Sequence, residues 1–72
     1  MPTAPQRATI IGTGLIGGSI GLALRARGWS VSGTDAYGAA AERALEIGAI
    51  DSIGIDPDSA ITFVAVPVQT VA

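Results

Sequence analysis

The sequence contains no cysteine and no histidine. The first absence removes disulfides, thiolate nucleophiles and Cys-ligated zinc together, and it fits a reducing compartment. The second removes the usual proton shuttle near neutral pH and the commonest metal ligand, so no metal site is expected. Lysine is missing too, which leaves Arg7, Arg25, Arg27 and Arg43 as the only basic side chains against a net charge of −2. A nucleic-acid groove needs a dense basic patch to release counterions, so that class is excluded. Charged residues make up 14% of the chain and hydrophobic ones 49%. That balance excludes a disordered segment or an acidic tail. At 72 residues the chain holds one small domain at most, because single domains usually run to ~100–200 residues. Cores below ~70–80 residues seldom stand without a staple. The chain is therefore expected to be part of a larger protein, or one half of an unfinished sheet. None of its residues is a candidate for catalysis.

The order of elements is legible. Residues 1–6 hold two prolines and no apolar period, so they read as an exposed leader. Residues 8–12 form a compact β-branched run closed by glycine, which suits a buried strand. From Leu15 the period changes, and Ile16, Ile20, Ala23 and Leu24 repeat at helical spacing. Arg25 and Arg27 fall where cations favour the helix dipole, and Gly28 supplies the left-handed stop. Residues 29–34 alternate as a strand that ends at Asp35, with Trp29 placed over the end of the first helix. Residues 39–47 form a second helix with Glu42 and Glu46 on its solvated face, and Gly48 ends it. Arg43 is expected to pair with Glu46 at i,i+3. A loop with Asp56, Pro57 and Asp58 reads as turn chemistry. The strongest strand follows, residues 61–66, and Pro67 stops it. The order β-α-β-α-β, with connections long enough for crossovers, predicts an α/β fold with a parallel sheet.

Three motifs compete for the same glycines. The uncharged stretch 8–24 carries Gly14-x-x-x-Gly18 and Gly17-x-x-x-Gly21, the small-residue spacing of packed membrane helices. It is at the short limit for spanning and is too glycine-rich, and no clean cleavage site follows it, so neither a membrane helix nor a signal peptide is expected. Gly17-Gly18-Ser19-Ile20-Gly21 matches the serine-hydrolase elbow. That serine must stand on the sharp turn directly after a strand, with a histidine available. Ser19 falls inside the helix, and the match is accidental.

The third motif is Gly12-Thr13-Gly14-Leu15-Ile16-Gly17, a G-x-G-x-x-G directly between a strand and a helix. In that context it has a mechanism. Gly12 permits the tight turn, and Gly14 lets the backbone approach a pyrophosphate. Gly17 and Gly21 leave a smooth face toward the sheet. The unpaired N–H groups of the first helical turn then face the phosphates. Asp35 ends the second strand, where a carboxylate can accept hydrogen bonds from an adenosine ribose. Ala36 and Tyr37 follow it with no arginine to pair with a 2′-phosphate, so NAD is expected rather than NADP. The fold expectation sharpens to a Rossmann-type β-α-β-α-β parallel sheet, a partial dinucleotide-binding domain. Residues 1–7 are a flexible leader and residues 8–72 are the first part of that domain.

The residues Gly12-Thr13-Gly14-Leu15-Ile16-Gly17-Gly18-Ser19, then Ala23-Leu24 and Gly33-Thr34-Asp35, resemble the start of prephenate and arogenate dehydrogenases. Gly48-Ala49-Ile50-Asp51 and Ala65-Val66-Pro67-Val68 match the same family further along. The resemblance implies oxidative decarboxylation of prephenate or arogenate in tyrosine biosynthesis, with hydride passing to NAD or NADP. It gives Gly12, Gly14 and Gly17 to the pyrophosphate turn and Asp35 to the ribose, and the intervening Thr13, Leu15 and Ile16 are cofactor-binding candidates with them. It places Val66 and Pro67 at the cofactor edge of a strand. It further implies a cytoplasmic enzyme that dimerises through a helical domain, and that domain holds the catalytic histidine and the substrate-binding arginines. None of those residues is in this chain, so the chain by itself is expected to be inactive. Two alternatives remain: a non-catalytic NAD(H)-binding module, and the cofactor segment of a related 6-phosphogluconate or 3-hydroxyacid dehydrogenase.

Overall fold

A computed structural model describes residues 5–65. Its elements run β1 (Arg7–Ile11), α1 (Leu15–Ala26), β2 (Ser30–Thr34), α2 (Gly38–Glu46), β3 (Ser52–Ile53) and β4 (Ile61–Val64). The four strands form one parallel sheet in the order β3-β2-β1-β4. The expected Rossmann-type α/β architecture is present.

Two local differences from the sequence reading have physical causes. β1 begins at Arg7, which the sequence assigned to the leader. Its Nε and Nη2 donate to the two carboxylate oxygens of Asp56 at 2.7 and 2.8 Å, so a charge at the strand start is held by a distant loop. β3 was not anticipated. It has two exposed residues, too few to show an alternation.

Both helices end where left-handed glycines allow it, Gly28 at φ +85° and Gly48 at φ +81°. Each helix lies on the face of the sheet defined by Ile10, Val31 and Gly33. The core is Ile10, Val31, Ala44, Ala49 and Ile50, with Ile20, Leu24, Trp29 and Phe63 packed against it. Trp29 therefore takes the place expected of it, and its N–H donates to the Leu24 carbonyl at 3.0 Å.

The period of two sends Arg7, Thr9, Ile11, Ser30 and Ser32 to the opposite face. Residues 54–60 cross that face to carry the chain from β3 to β4. Thr9, fully buried, anchors this crossing by accepting from the Asp56 N–H at 3.1 Å and sharing a hydrogen bond with Ser59. A hydroxyl inside a strand is thus satisfied by the loop that covers it. Among the described residues no buried side-chain nitrogen or oxygen lacks a partner.

A second long-range clamp closes the helix side. Arg25 reaches from the end of α1 to the Gly48 carbonyl at 2.8 Å and to Asp51 at 2.9 Å. Asp51 in turn accepts from the Val31 N–H at 2.7 Å. No helix among the described residues is long and apolar enough to cross a membrane.

Candidate cofactor site

Between β1 and α1 the chain must reverse within three residues. Gly12 does this at φ +95°, a conformation that side chains disfavour. Its N–H still joins the sheet, donating to the Thr34 carbonyl at 2.8 Å. Its carbonyl lies against Gly17, where a Cβ would stand 1.8 Å from the oxygen. Gly17 therefore has to be glycine for the turn and helix to meet.

Gly14 behaves differently. It is the N-cap of α1 at φ −70°, and a Cβ built there meets nothing within 4 Å. The space above it is open, as close approach of a ligand to the backbone requires. Beyond it the N–H groups of Leu15, Ile16 and Gly17 have no backbone acceptor among the described residues. They lie at the positive end of the α1 dipole, where an oxyanion is favoured. The side chains of Leu15 and Ile16 are largely exposed.

Asp35 lies directly after β2. One oxygen accepts from the Thr13 N–H at 2.7 Å, and the other accepts from the Tyr37 N–H at 2.9 Å. These two bonds, Tyr37 first, hold its carboxyl below the usual carboxylate range. Thr13 is nearly buried, and both its N–H and its hydroxyl face Asp35 rather than the open side of the turn. A carboxylate has about four acceptor positions, so Asp35 keeps capacity for hydroxyls arriving from outside.

Other singled-out residues are placed plainly. Ser19 donates its hydroxyl to the Leu15 carbonyl at 2.9 Å on the exposed side of α1, so it is no nucleophile elbow. Arg43 makes no ion pair with Glu46, contrary to the sequence expectation. Its side chain instead lines a groove of about 400 Å³ between α1 and α2 with Thr13, Gly14, Leu22 and Ile47. Tyr37 caps α2 and is mostly exposed. Asp56 and Asp58 serve the loop: the Asp58 N–H donates to Asp56 at 2.9 Å, as turn chemistry predicts. Val66 and Pro67 lie outside the described residues. Among the described residues no cluster of potential ligands could hold a metal ion.

A glycine turn capped by open space, a free helix N-terminus and an acidic residue after the second strand define the class. The chain is a Rossmann-type α/β segment with a dehydrogenase-like fold. Comparison with solved structures finds the arogenate dehydrogenase of Synechocystis, with a TM-score of 0.79 and 30% sequence identity. The match covers 86% of this chain and 24% of that one, so the chain spans about a quarter of that enzyme's length. No family model and no curated protein matches. The chain thus resembles the prephenate and arogenate dehydrogenases in its fold as well as in its motifs.

Proposed function

We propose that this chain is the NAD-binding segment of a cytoplasmic prephenate or arogenate dehydrogenase, acting in tyrosine biosynthesis. The observation that carries the reading is the open space at Gly14, where the first N–H groups of α1 find no backbone acceptor among the described residues, with Asp35 bonded to the neighbouring Thr13. The backbone from Gly14 to Gly17 would hold the pyrophosphate, and Asp35 would accept the adenosine ribose hydroxyls. The residues present fit such a group, because the start of α1 offers backbone N–H donors suited to phosphate and the Asp35 carboxylate offers acceptors suited to hydroxyls.

A dinucleotide held by Gly14–Gly17 and Asp35 would supply hydride-acceptor chemistry for the oxidative decarboxylation. This chain's part is to bind and orient. It offers no histidine, lysine or cysteine to move a proton. The base and the substrate clamp belong to other sequence in the full-length enzyme, which we propose to be a homodimer.

Calorimetric titration of the full-length protein with NAD, NADH and NADP tests the cofactor assignment. Release of NADH with prephenate or arogenate tests the reaction. Saturable binding of NAD with weaker binding of NADP is expected. Failure of NAD and NADH to bind would sink the reading.

A further inference from the structure

We propose that Asp35 is a positioning residue that holds the glycine turn through the Thr13 N–H, separately from any contact with the ribose. This rests on the dinucleotide reading above and adds a second role to the same carboxylate.

The geometry of one peptide unit carries the argument. Gly12 directly follows β1, with its N–H on the β2 side, donating to the Thr34 carbonyl. In a continuing strand the next N–H would point away from β2. The left-handed φ at Gly12 reverses that, and the Thr13 N–H turns back toward β2. No β2 carbonyl receives it. The Asp35 side chain does, at 2.7 Å, one residue past the end of β2.

The Gly12–Thr13 peptide is therefore fixed at both ends. Its oxygen is seated against Gly17, and its N–H is seated on Asp35. Thr13 is further confined by its methyl group, which fills the space where a Cβ on Gly33 would lie only 2.8 Å away. Asp35 is itself steadied by the Tyr37 N–H at the start of α2. The direction of the first free N–H groups of α1 follows from this peptide. Loosening Asp35 would let the phosphate-facing amides rotate, even with a ligand that has no hydroxyl to offer.

The test uses the full-length protein and two probes, ADP and 2′,3′-dideoxy-ADP, titrated calorimetrically into wild type, Asp35→Ala and Asp35→Asn. The dideoxy probe keeps the pyrophosphate and lacks both ribose hydroxyls. Asp35→Ala is expected to weaken the dideoxy probe about tenfold, and Asp35→Asn, which retains one acceptor of the same size, less. In the absence of ligand, hydrogen exchange at the Thr13 amide should accelerate in Asp35→Ala while Gly12 stays protected. An unchanged affinity for the dideoxy probe in both variants would overturn the positioning role and leave the dinucleotide reading standing. So would unchanged Thr13 exchange in both. If wild type binds neither probe, the dinucleotide reading itself fails.

Discussion

Gly21 of α1 faces the carbonyl of Ala49, so closely that a Cβ at Gly21 would stand 2.2 Å from the oxygen. The neighbour is backbone of the turn before β3, and it cannot swing aside like a flexible side chain. Gly21→Ala is expected to destabilise the protein by about 1–3 kcal/mol, the usual range for forced overpacking. Urea unfolding measures it. A midpoint equal to wild type would mean that α1 is free to move off the α2–β3 turn.

The glycine at 14 should behave in the opposite way. Gly14→Val meets open space at an ordinary φ, so the unfolding midpoint should change little. Affinity for NAD in the full-length protein should fall at least tenfold, roughly 1.4 kcal/mol, because the new branches would fill the approach proposed for the pyrophosphate. Retained affinity in the folded variant would show that this glycine serves no ligand.

Cofactor preference offers a third check. The two roles proposed for Asp35 make it a poor residue to alter for this purpose, since its loss would also remove the acceptor of the Thr13 N–H. Ala36 is exposed and adjacent. Ala36→Arg should improve kcat/KM for NADP relative to NAD by supplying a phosphate partner, with Asp35 and its two amide contacts intact. A ratio unmoved by the substitution would place the 2′ position away from this loop.

Acid should unfold the protein partly through Asp56. Its carboxyl is held below the usual range by the Asp58 N–H and then by the Arg7 guanidinium. A lowered folded pKa contributes stability above the unfolded value of about 3.9, and that contribution disappears as pH falls through the folded value. Arg7 stays charged throughout this range. Asp56→Asn should therefore narrow the difference in urea midpoint between pH 7 and pH 3. The narrowing should shrink in high salt, since the pair is partly exposed. An unaltered difference would assign the acid sensitivity to other carboxylates.

Asp51 gives a prediction of stability alone. Its removal strips the Val31 N–H of its acceptor and frees Arg25. Asp51→Ala should cost about 1–3 kcal/mol, the usual penalty for stranding a backbone donor. Thermal unfolding followed by circular dichroism reads this directly.

The sequence revealed what local pattern encodes. The glycine turn, both helix stops, Trp29 and the position of Asp35 after β2 are each specified within a few neighbouring residues, and each is where the pattern put it. The pairs that join distant segments left no such mark. Arg7 with Asp56, Arg25 with Asp51, and Thr13 with Asp35 all arise because parallel crossovers return the chain to the same edge. Composition and periodicity hold no information on which charge meets which. Arg43 shows the reverse error: i,i+3 spacing allowed a pair with Glu46, and the groove beside Gly14 took the side chain instead. The strand at Ser52–Ile53 was invisible because its place comes from pairing with Ser32 and Gly33, not from its own residues.

The strand order has a consequence for synthesis. β1 is made first, yet both its neighbours lie downstream, and Ala8 waits for Ile61 across most of the chain. Closing the larger loop adds only about 0.6 kcal/mol for each doubling of length, so the delay is a matter of time rather than of energy. A nascent chain halted before Ile61 would have β1 paired on one side and bare on the other. Residues 8–11 would then offer a rigid, uncharged edge to any strand of a neighbouring molecule.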